Sequence, residues 1–258
     1  MINNNNPYNS NFSISVMESN KISTGSHDLN KWLYGGYDKD IITMIYGPAG
    51  SGKTNFCMMA TASRAKKGNK VIFIDTEGGF SIERLRQLCG EETEKALKNI
   101  LLLKPTDFKE QDDSLTRLLK EIKTDSDIGL IIIDGMTMLY RLELAEAKQE
   151  NQGIQTINSK LARHMRILAS ISRNRNIPII VTNQVYYGFT SQDEFQEGKE
   201  KQARVVGGDI TGYWSKCIIE LKTGEGRRKA ILNKHRSLKQ NEFDFEIVND
   251  GIRKRGWL

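Results

Sequence analysis

Gly47-Pro48-Ala49-Gly50-Ser51-Gly52-Lys53-Thr54 follows directly on the apolar run Asp40-Ile41-Ile42-Thr43-Met44-Ile45-Tyr46. The octapeptide fills every fixed position of the pattern G-x-x-x-x-G-K-[ST], whose chemistry is the cradling of phosphates. Glycines at 47, 50 and 52 let the chain turn tightly, so that successive N–H groups converge, while the following helix presents its positive N-terminus. Lys53 is then the group that reaches the β- and γ-phosphates, and the Thr54 hydroxyl takes a place on Mg2+. A glycine-containing turn of no function is the alternative. The strand pattern before and the helix pattern after, beginning at Asn55, argue against it. Gly47 to Asn55, with Pro48, Ala49 and Ser51 included, is therefore the candidate nucleotide site, and a nucleoside triphosphate the expected ligand.

Outward from this loop the chain alternates. Asn55 to Ala65 reads as a helix with Phe56, Met59 and Ala60 on one side, ending at Lys66-Lys67-Gly68. Lys70 to Asp75 reads as a buried strand. A helix over Ile82 to Cys89, a strand at Ile100 to Leu103, a helix near Asp107 to Lys123 and a strand at Gly129 to Asp134 continue the order. Between Gln152 and Asn176, Ile154, Ile157, Leu161, Met165, Leu168 and Ile171 recur at three- and four-residue steps, which predicts a long amphipathic helix. Pro178 opens the next strand, Ile179 to Thr182. Gln184 to Gly208 is too rich in Gly, Gln and charge for core and is expected as a long loop. Trp214 to Leu221, Arg227 to Asn233 and Phe243 to Val248, separated by turns at 223–226 and 249–251, read as antiparallel strands at the sheet's edge. The expected class is α/β: a phosphate-loop NTPase core, its central sheet mostly parallel with helices on both faces and an antiparallel C-terminal edge.

The 258 residues, 38% hydrophobic and 27% charged, suit a soluble globule of one large or two small domains. Residues 1–20 are polar and aperiodic, an expected flexible tail, leaving a single domain over 21–258. No apolar stretch is long enough for a membrane span, and the Asn-rich start lacks the regions of a secretory signal. Cys57, Cys89 and Cys217 have no paired spacing, so neither a disulfide framework nor a zinc site is expected, and a reducing cytoplasm fits. A formal net charge of +6 favours polyanions, of which nucleic acid is the commonest large one in a cell.

Hydrolysis of a triphosphate needs a second metal-facing carboxylate and a group that orients or deprotonates water, both at the C-terminal ends of neighbouring strands. Asp134, after Leu130-Ile131-Ile132-Ile133, is the candidate for Mg2+, the alternative being a plain strand-terminating Asp. Glu77, in Asp75-Thr76-Glu77-Gly78-Gly79, could polarise the water, unless it is an exposed turn carboxylate. Gln184, closing a third strand, is the candidate γ-phosphate sensor, or else merely a strand cap. Lys234 and Arg236 flank His235 at the end of an edge strand. On an extended chain they point to one side and could approach a triphosphate of the same or a neighbouring subunit, which leaves a homo-oligomer open. A solvated basic turn is the other reading.

These residues carry a resemblance. The chain is similar to the archaeal RadB proteins, RecA-superfamily paralogues of the recombinase RadA, from about Ser23 to Gly256. Ser23-Thr24-Gly25-Ser26-His27-Asp28-Leu29 with Gly35-Gly36 resembles the lead-in of that superfamily, and Asp75 to Leu85 its water-activating segment. Pro105-Thr106-Asp107-Phe108-Lys109-Glu110-Gln111 resembles RadB in particular. The resemblance implies ATP with Mg2+, Arg84 stacked on adenine, single-stranded or branched DNA as ligand, and RadA and a Holliday junction resolvase as partners. A guanidinium plane on a π face is physically apt, although a helix-surface Arg84 paired to Glu83 or another nearby charge is as good a reading.

Departures from the superfamily matter too. Residues 1–20 stand where RadA carries a helix-hairpin-helix domain, and Phe12-Ser13-Ile14-Ser15 does not satisfy the Phe-x-x-Ala tether of filament-forming members. Lys234-His235-Arg236 is more like the Lys-x-Arg finger of the hexameric branches. Two loops, near Arg141 to Gly153 and Val185 to Gly208, correspond to those that face DNA in RecA-like proteins. The second carries Tyr186, Tyr187, Phe189 and Phe195 with Lys199, Lys201 and Arg204, able to stack on bases and neutralise phosphates, against four acids that nearly cancel the charge. The sequence thus leaves two function classes: a DNA-stimulated recombinase or motor ATPase, and a slowly hydrolysing accessory protein of recombination, which the resemblance favours.

Overall fold

The computed structural model describes residues 20–124, 127–150, 153–187, 203–224 and 226–256, with the backbone alone for Tyr186, Tyr187, Ala203 and Arg204. Of the expected tail, 1–19 lies outside the described residues.

A short hairpin, β1 (Lys21–Ile22) and β2 (Tyr37–Asp38), brackets helix α1 (His27–Trp32) and leads into β3 (Ile42–Gly47). The chain continues through α2 (Lys53–Lys66), β4 (Lys70–Asp75), α3 (Ile82–Cys89), α4 (Thr93–Lys98), β5 (Ile100–Leu103), α5 (Phe108–Thr124), β6 (Ile128–Asp134), α6 (Met138–Gln149), α7 (Ile154–Arg175) and β7 (Ile179–Tyr187). It closes with β8 (Ala203–Val205), α8 (Gly208–Trp214), β9 (Cys217–Gly224), β10 (Arg227–Lys234), β11 (Asn241–Val248) and β12 (Gly251–Lys254). The large sheet runs β12-β11-β10-β9-β3-β7-β6-β4-β5, with β8 beside β7. Strands β9, β3, β7, β6, β4 and β5 are mutually parallel, and β9 to β12 form an antiparallel meander, as the α/β expectation required.

A parallel sheet covered on both faces must be apolar at every position, because successive side chains point to opposite faces. Strand β6 shows this residue by residue. Leu130 and Ile132 join the core under α1 to α4, and Ile131 and Ile133 join the core under α5 to α8. Each such fully buried side chain contributes about 2 kcal/mol of transfer free energy. The C-terminal meander packs onto α2, where Phe56 meets Phe245 edge-on with centroids 5.4 Å apart. That contact explains why α2 is apolar nearly all round, from Phe56 to Ala62.

The long helix ends where expected, with Asn176 in the left-handed conformation ahead of Pro178. Three expectations are corrected. Strand β7 does not stop at Thr182: it continues to Tyr187 because Val185, Tyr186 and Tyr187 find ladder partners in Val205, Arg204 and Ala203. Arg141 to Gln149 is helix rather than loop, part of α6, whose Leu139, Tyr140 and Ala147 are buried on the α5/α7 side. Trp214 belongs to α8, and β9 begins only at Cys217. The strand β12, the helices α1, α4 and α6, and the β1–β2 hairpin have no counterpart in the sequence reading. All are short or lack clean periodicity.

Candidate nucleotide-binding site

The C-terminal ends of β3, β4, β6 and β7 converge on one edge, each parallel to its neighbour in the order β3-β7-β6-β4. Gly47 ends β3 so close to the meander that a Cβ there would lie 2.4 Å from the Leu221 carbonyl oxygen. The loop then turns through Gly50 and Gly52, both with positive φ, into α2. Lys53 is buried, and its ammonium donates to the carbonyls of Gly47 at 3.0 Å and Pro48 at 2.9 Å. An ammonium has three protons, so one remains for an anion. Burial pulls the Lys53 pKa down, and the nearby Glu77 and Asp134 carboxylates oppose that pull. Ser51 Oγ is buried with no hydrogen-bond partner.

Asp134 ends β6 almost wholly buried. Burial raises its pKa, and the Thr182 hydroxyl bonded to it and the Thr54 hydroxyl nearby work against the rise. Thr182 Oγ1 donates to Asp134 Oδ1 at 2.6 Å, whereas Oδ2 is buried without a partner. A Cβ built on Gly79 would stand 3.1 Å from Thr54 Oγ1 and 3.6 Å from Asp134 Oδ2, so both oxygens border one small space. That donor set fits Mg2+, which takes one or two protein oxygens and completes its shell with water and phosphate. Among the described residues no group of three or more His, Cys, Asp or Glu could hold a metal without such help.

The turn after β4 is built by Asp75, whose two carboxylate oxygens accept from the amides of Gly79 and Phe80, each at 3.0 Å. The turn presents Glu77, exposed, with Gln184 Nε2 donating to its Oε2 at 2.9 Å. Thr76 Oγ1 reaches the carbonyls of Asp134 at 3.0 Å and Gly135 at 2.8 Å, joining this turn to the one after β6. Asp75, Thr76 and Thr182 were missed as site residues. A buried acid four residues before a glycine is the one signal that could have marked Asp75, whereas a Thr inside a strand carries none.

Arg84 leaves α3 towards Asn55. Its Nε donates to Asn55 Oδ1 at 2.8 Å and its Nη1 to Gln87 Oε1 at 2.7 Å and the Asn249 carbonyl at 3.0 Å. It does not pair with Glu83, which lies 3.4 Å from Arg86. Arg84 and Asn55 therefore stand together where α2, α3 and the β11–β12 turn meet.

Lys234 and Arg236 are not brought to the phosphate loop. The chain bends after Lys234, so the extended-chain premise fails. His235 turns inward onto Asp38 at 2.9 Å, and Arg236 pairs with Asp40 at 2.6 Å and Asp38 at 3.2 Å. Those acids precede β3, whereas the loop follows it, a strand length of about 20 Å away. Lys234 donates to the Gly212 carbonyl at 3.2 Å. Of the DNA-facing candidates, Tyr186 stands opposite Arg204 in the β7–β8 ladder, continuous with Gln184. Phe189, Phe195, Lys199 and Lys201 lie outside the described residues. Arg141 lines the same recess as Glu77 and Gln184.

Comparison with known proteins gives the same frame. The family model described as Rad51 matches residues 16–255. The "DNA repair and recombination protein RadB" of Methanobrevibacter smithii is 36% identical over 239 residues, spanning 91% of this chain and 96% of that protein. Its namesake from Methanococcus maripaludis strain C7 is 40% identical over 225 residues, 87% of this chain and 96% of that protein. The chain belongs to the Rad51 family, among its RadB proteins. A solved structure described as "Crystal structure of the RadB recombinase" superposes with a TM-score of 0.70 at 33% identity, over 91% of this chain and 99% of that one. The RadB-like string has a structural meaning here. Asp107 Oδ1 caps α5 at the Glu110 amide, Phe108 is buried, and Gln111 Nε2 donates to the Met136 carbonyl at 3.0 Å, seating α5 on the turn after Asp134. Among the described residues no helix is long and apolar enough to cross a membrane.

Proposed function

We propose that this protein binds ATP with Mg2+, hydrolyses it slowly, and serves homologous recombination and DNA repair as an accessory or mediator rather than as a strand-exchange recombinase. The observation that carries the reading is the convergence of Lys53, Thr54, Asp134 and Glu77 on one sheet edge, behind a glycine loop that opens α2. In this reading Gly47 to Asn55 cradle the triphosphate, Arg84 covers the base, and Thr54 and Asp134 hold Mg2+, which neutralises charge on the β- and γ-phosphates. Glu77 orients or deprotonates water, and Gln184, hydrogen-bonded to Glu77, senses the γ-phosphate.

Repair and recombination are carried over from the RadB relatives, whose names state them, and the accessory role from the family resemblance. With it come single-stranded or branched DNA as a ligand and RadA and a Holliday junction resolvase as partners. The β7–β8 arm, with Tyr186, Tyr187 and Arg204, together with Lys199 and Lys201 from the sequence between its two strands, is the proposed DNA contact. Because Gln184 lies on the same strand as that arm, nucleotide state and DNA grip share one element. A DNA-stimulated recombinase or hexameric motor is the second reading, favoured by exposed Lys234, whose service to a triphosphate requires a second copy of the chain.

Turnover measured with and without single-stranded DNA separates the two. Slow hydrolysis changing less than about tenfold with DNA supports the accessory reading, and a rise of about a hundredfold, roughly 2.7 kcal/mol of barrier, supports the motor.

A further inference from the structure

Thr182 is fully buried on β7, two residues before Gln184 and so on the same face of the strand. Its Oγ1 accepts the Gly135 amide proton at 2.7 Å and lies 2.6 Å from Asp134 Oδ1. A hydroxyl carries a single proton, and Oγ1 is already an acceptor toward Gly135. That proton goes to Asp134 Oδ1. The rotor is thereby fixed, and so is the carboxylate: Oδ1 is engaged, and Oδ2 is left buried, unpartnered and beside Thr54 Oγ1 across the space next to Gly79.

We propose that Thr182 is a positioning residue of the Mg2+ site, selecting Asp134 Oδ2 as the oxygen that meets the metal shell and holding it there. The proposal rests on the reading of Asp134 and Thr54 as the metal-facing pair. It also gives β7 a double duty. One strand references the metal carboxylate through Thr182 and the water-orienting carboxylate through Gln184, so their separation is set by the strand's own rise rather than by two independent loops. Without the hydroxyl, Asp134 Oδ1 and the Gly135 amide both lose their partner, and the carboxylate is free to rotate away from Thr54.

The test compares the affinity of a non-hydrolysable ATP analogue in Mg2+ with its affinity in excess EDTA, by calorimetry on the full chain, so that no turnover enters the readout. In Thr182→Val, nearly the same shape without the hydroxyl, the Mg2+ advantage should fall by about 10- to 100-fold, the usual loss when a ligand's supporting hydrogen bond is removed. Affinity in EDTA should hold. Thr182→Ser, which keeps the hydroxyl, should restore the advantage. Should the Val variant fail to fold, Thr182→Cys, a weak donor of similar size, takes its place, with the same loss expected. A Val or Cys variant that keeps the wild-type ratio, or loses affinity equally in Mg2+ and EDTA, overturns the proposal while leaving the nucleotide reading intact. Wild-type protein that takes up no analogue in either condition overturns both.

Discussion

Replacing Gly135 by Ala tests whether the turn after β6 and the turn after β4 are locked together. Gly135 has φ +91°, and a Cβ there would lie 2.3 Å from Thr76 Oγ1, 2.7 Å from Glu77 Cγ and 3.0 Å from Glu77 Oε1. The backbone conformation alone costs an L-residue about 1–2 kcal/mol. Displacing Thr76 loses its hydrogen bond to the Asp134 and Gly135 carbonyls, about 1 kcal/mol, and the crowding adds about 1–3 kcal/mol. The expected total is near 4 kcal/mol. Gly78 is the internal control, with φ +72° and nothing within 4 Å of an added Cβ, so Gly78→Ala carries only the conformational cost. The two variants should differ by about 2.5 kcal/mol, which for a chain of this size is about 5–10 °C in melting temperature. Thermal unfolding followed by circular dichroism reads that gap, and single-turnover hydrolysis should show Gly135→Ala binding ATP but cleaving it poorly, since Glu77 is pushed aside. Melting of Gly135→Ala within about 2 °C of Gly78→Ala would refute the reasoning.

Other outcomes are expected as follows. Lys53→Ala should abolish ATP binding or turnover while far-UV circular dichroism stays native; unchanged nucleotide affinity would remove the loop from the mechanism. Gln184→Ala should lower turnover by about a hundredfold with ATP affinity little changed, because its partner is Glu77, and an equal fall in affinity would assign it to ground-state binding instead. Arg236→Ala should flatten the acid limb of stability. The Arg236 hydrogen bond holds the Asp40 carboxyl below its ordinary value; burial pushes Asp38 up, but His235, Lys21 and Arg236 outweigh it and leave it depressed too. Depressed carboxylates stabilise the fold above their unfolded pKa of about 3.9, and that stability is lost as pH falls from about 5 through the folded values. Urea midpoints of wild type should therefore drop more steeply than those of Arg236→Ala on acidification, and parallel curves would show the ion pairs to be energetically idle.

Where one chemical requirement dominates, the sequence was a sufficient guide. The phosphate loop, the buried strands ending in Asp75 and Asp134, and the capped helix after Pro105 each follow from local rules. What escaped was set by partners distant in the chain. The polar, aromatic Val185-Tyr186-Tyr187 is a strand only because Ala203 to Val205 lies beside it. Lys234 and Arg236 look alike by spacing, yet Asp38 and Asp40, some two hundred positions earlier, decide where Arg236 points. Thr182 reads as one more β-branched residue until Gly135 and Asp134 are placed on either side of its hydroxyl.

The placement of β3 has a consequence for how the molecule comes into being. Its two neighbours are β7, Ile179–Tyr187, and β9, Cys217–Gly224, so the strand that launches the phosphate loop is flanked by segments far downstream of it in the chain. Such long sequence separations slow assembly, since the intervening chain must be closed before the pairing rewards it. The Gly47–Thr54 motif thus has no framework to shape it until those distant strands have paired, so competence for nucleotide waits on long-range closure rather than on local folding of the loop.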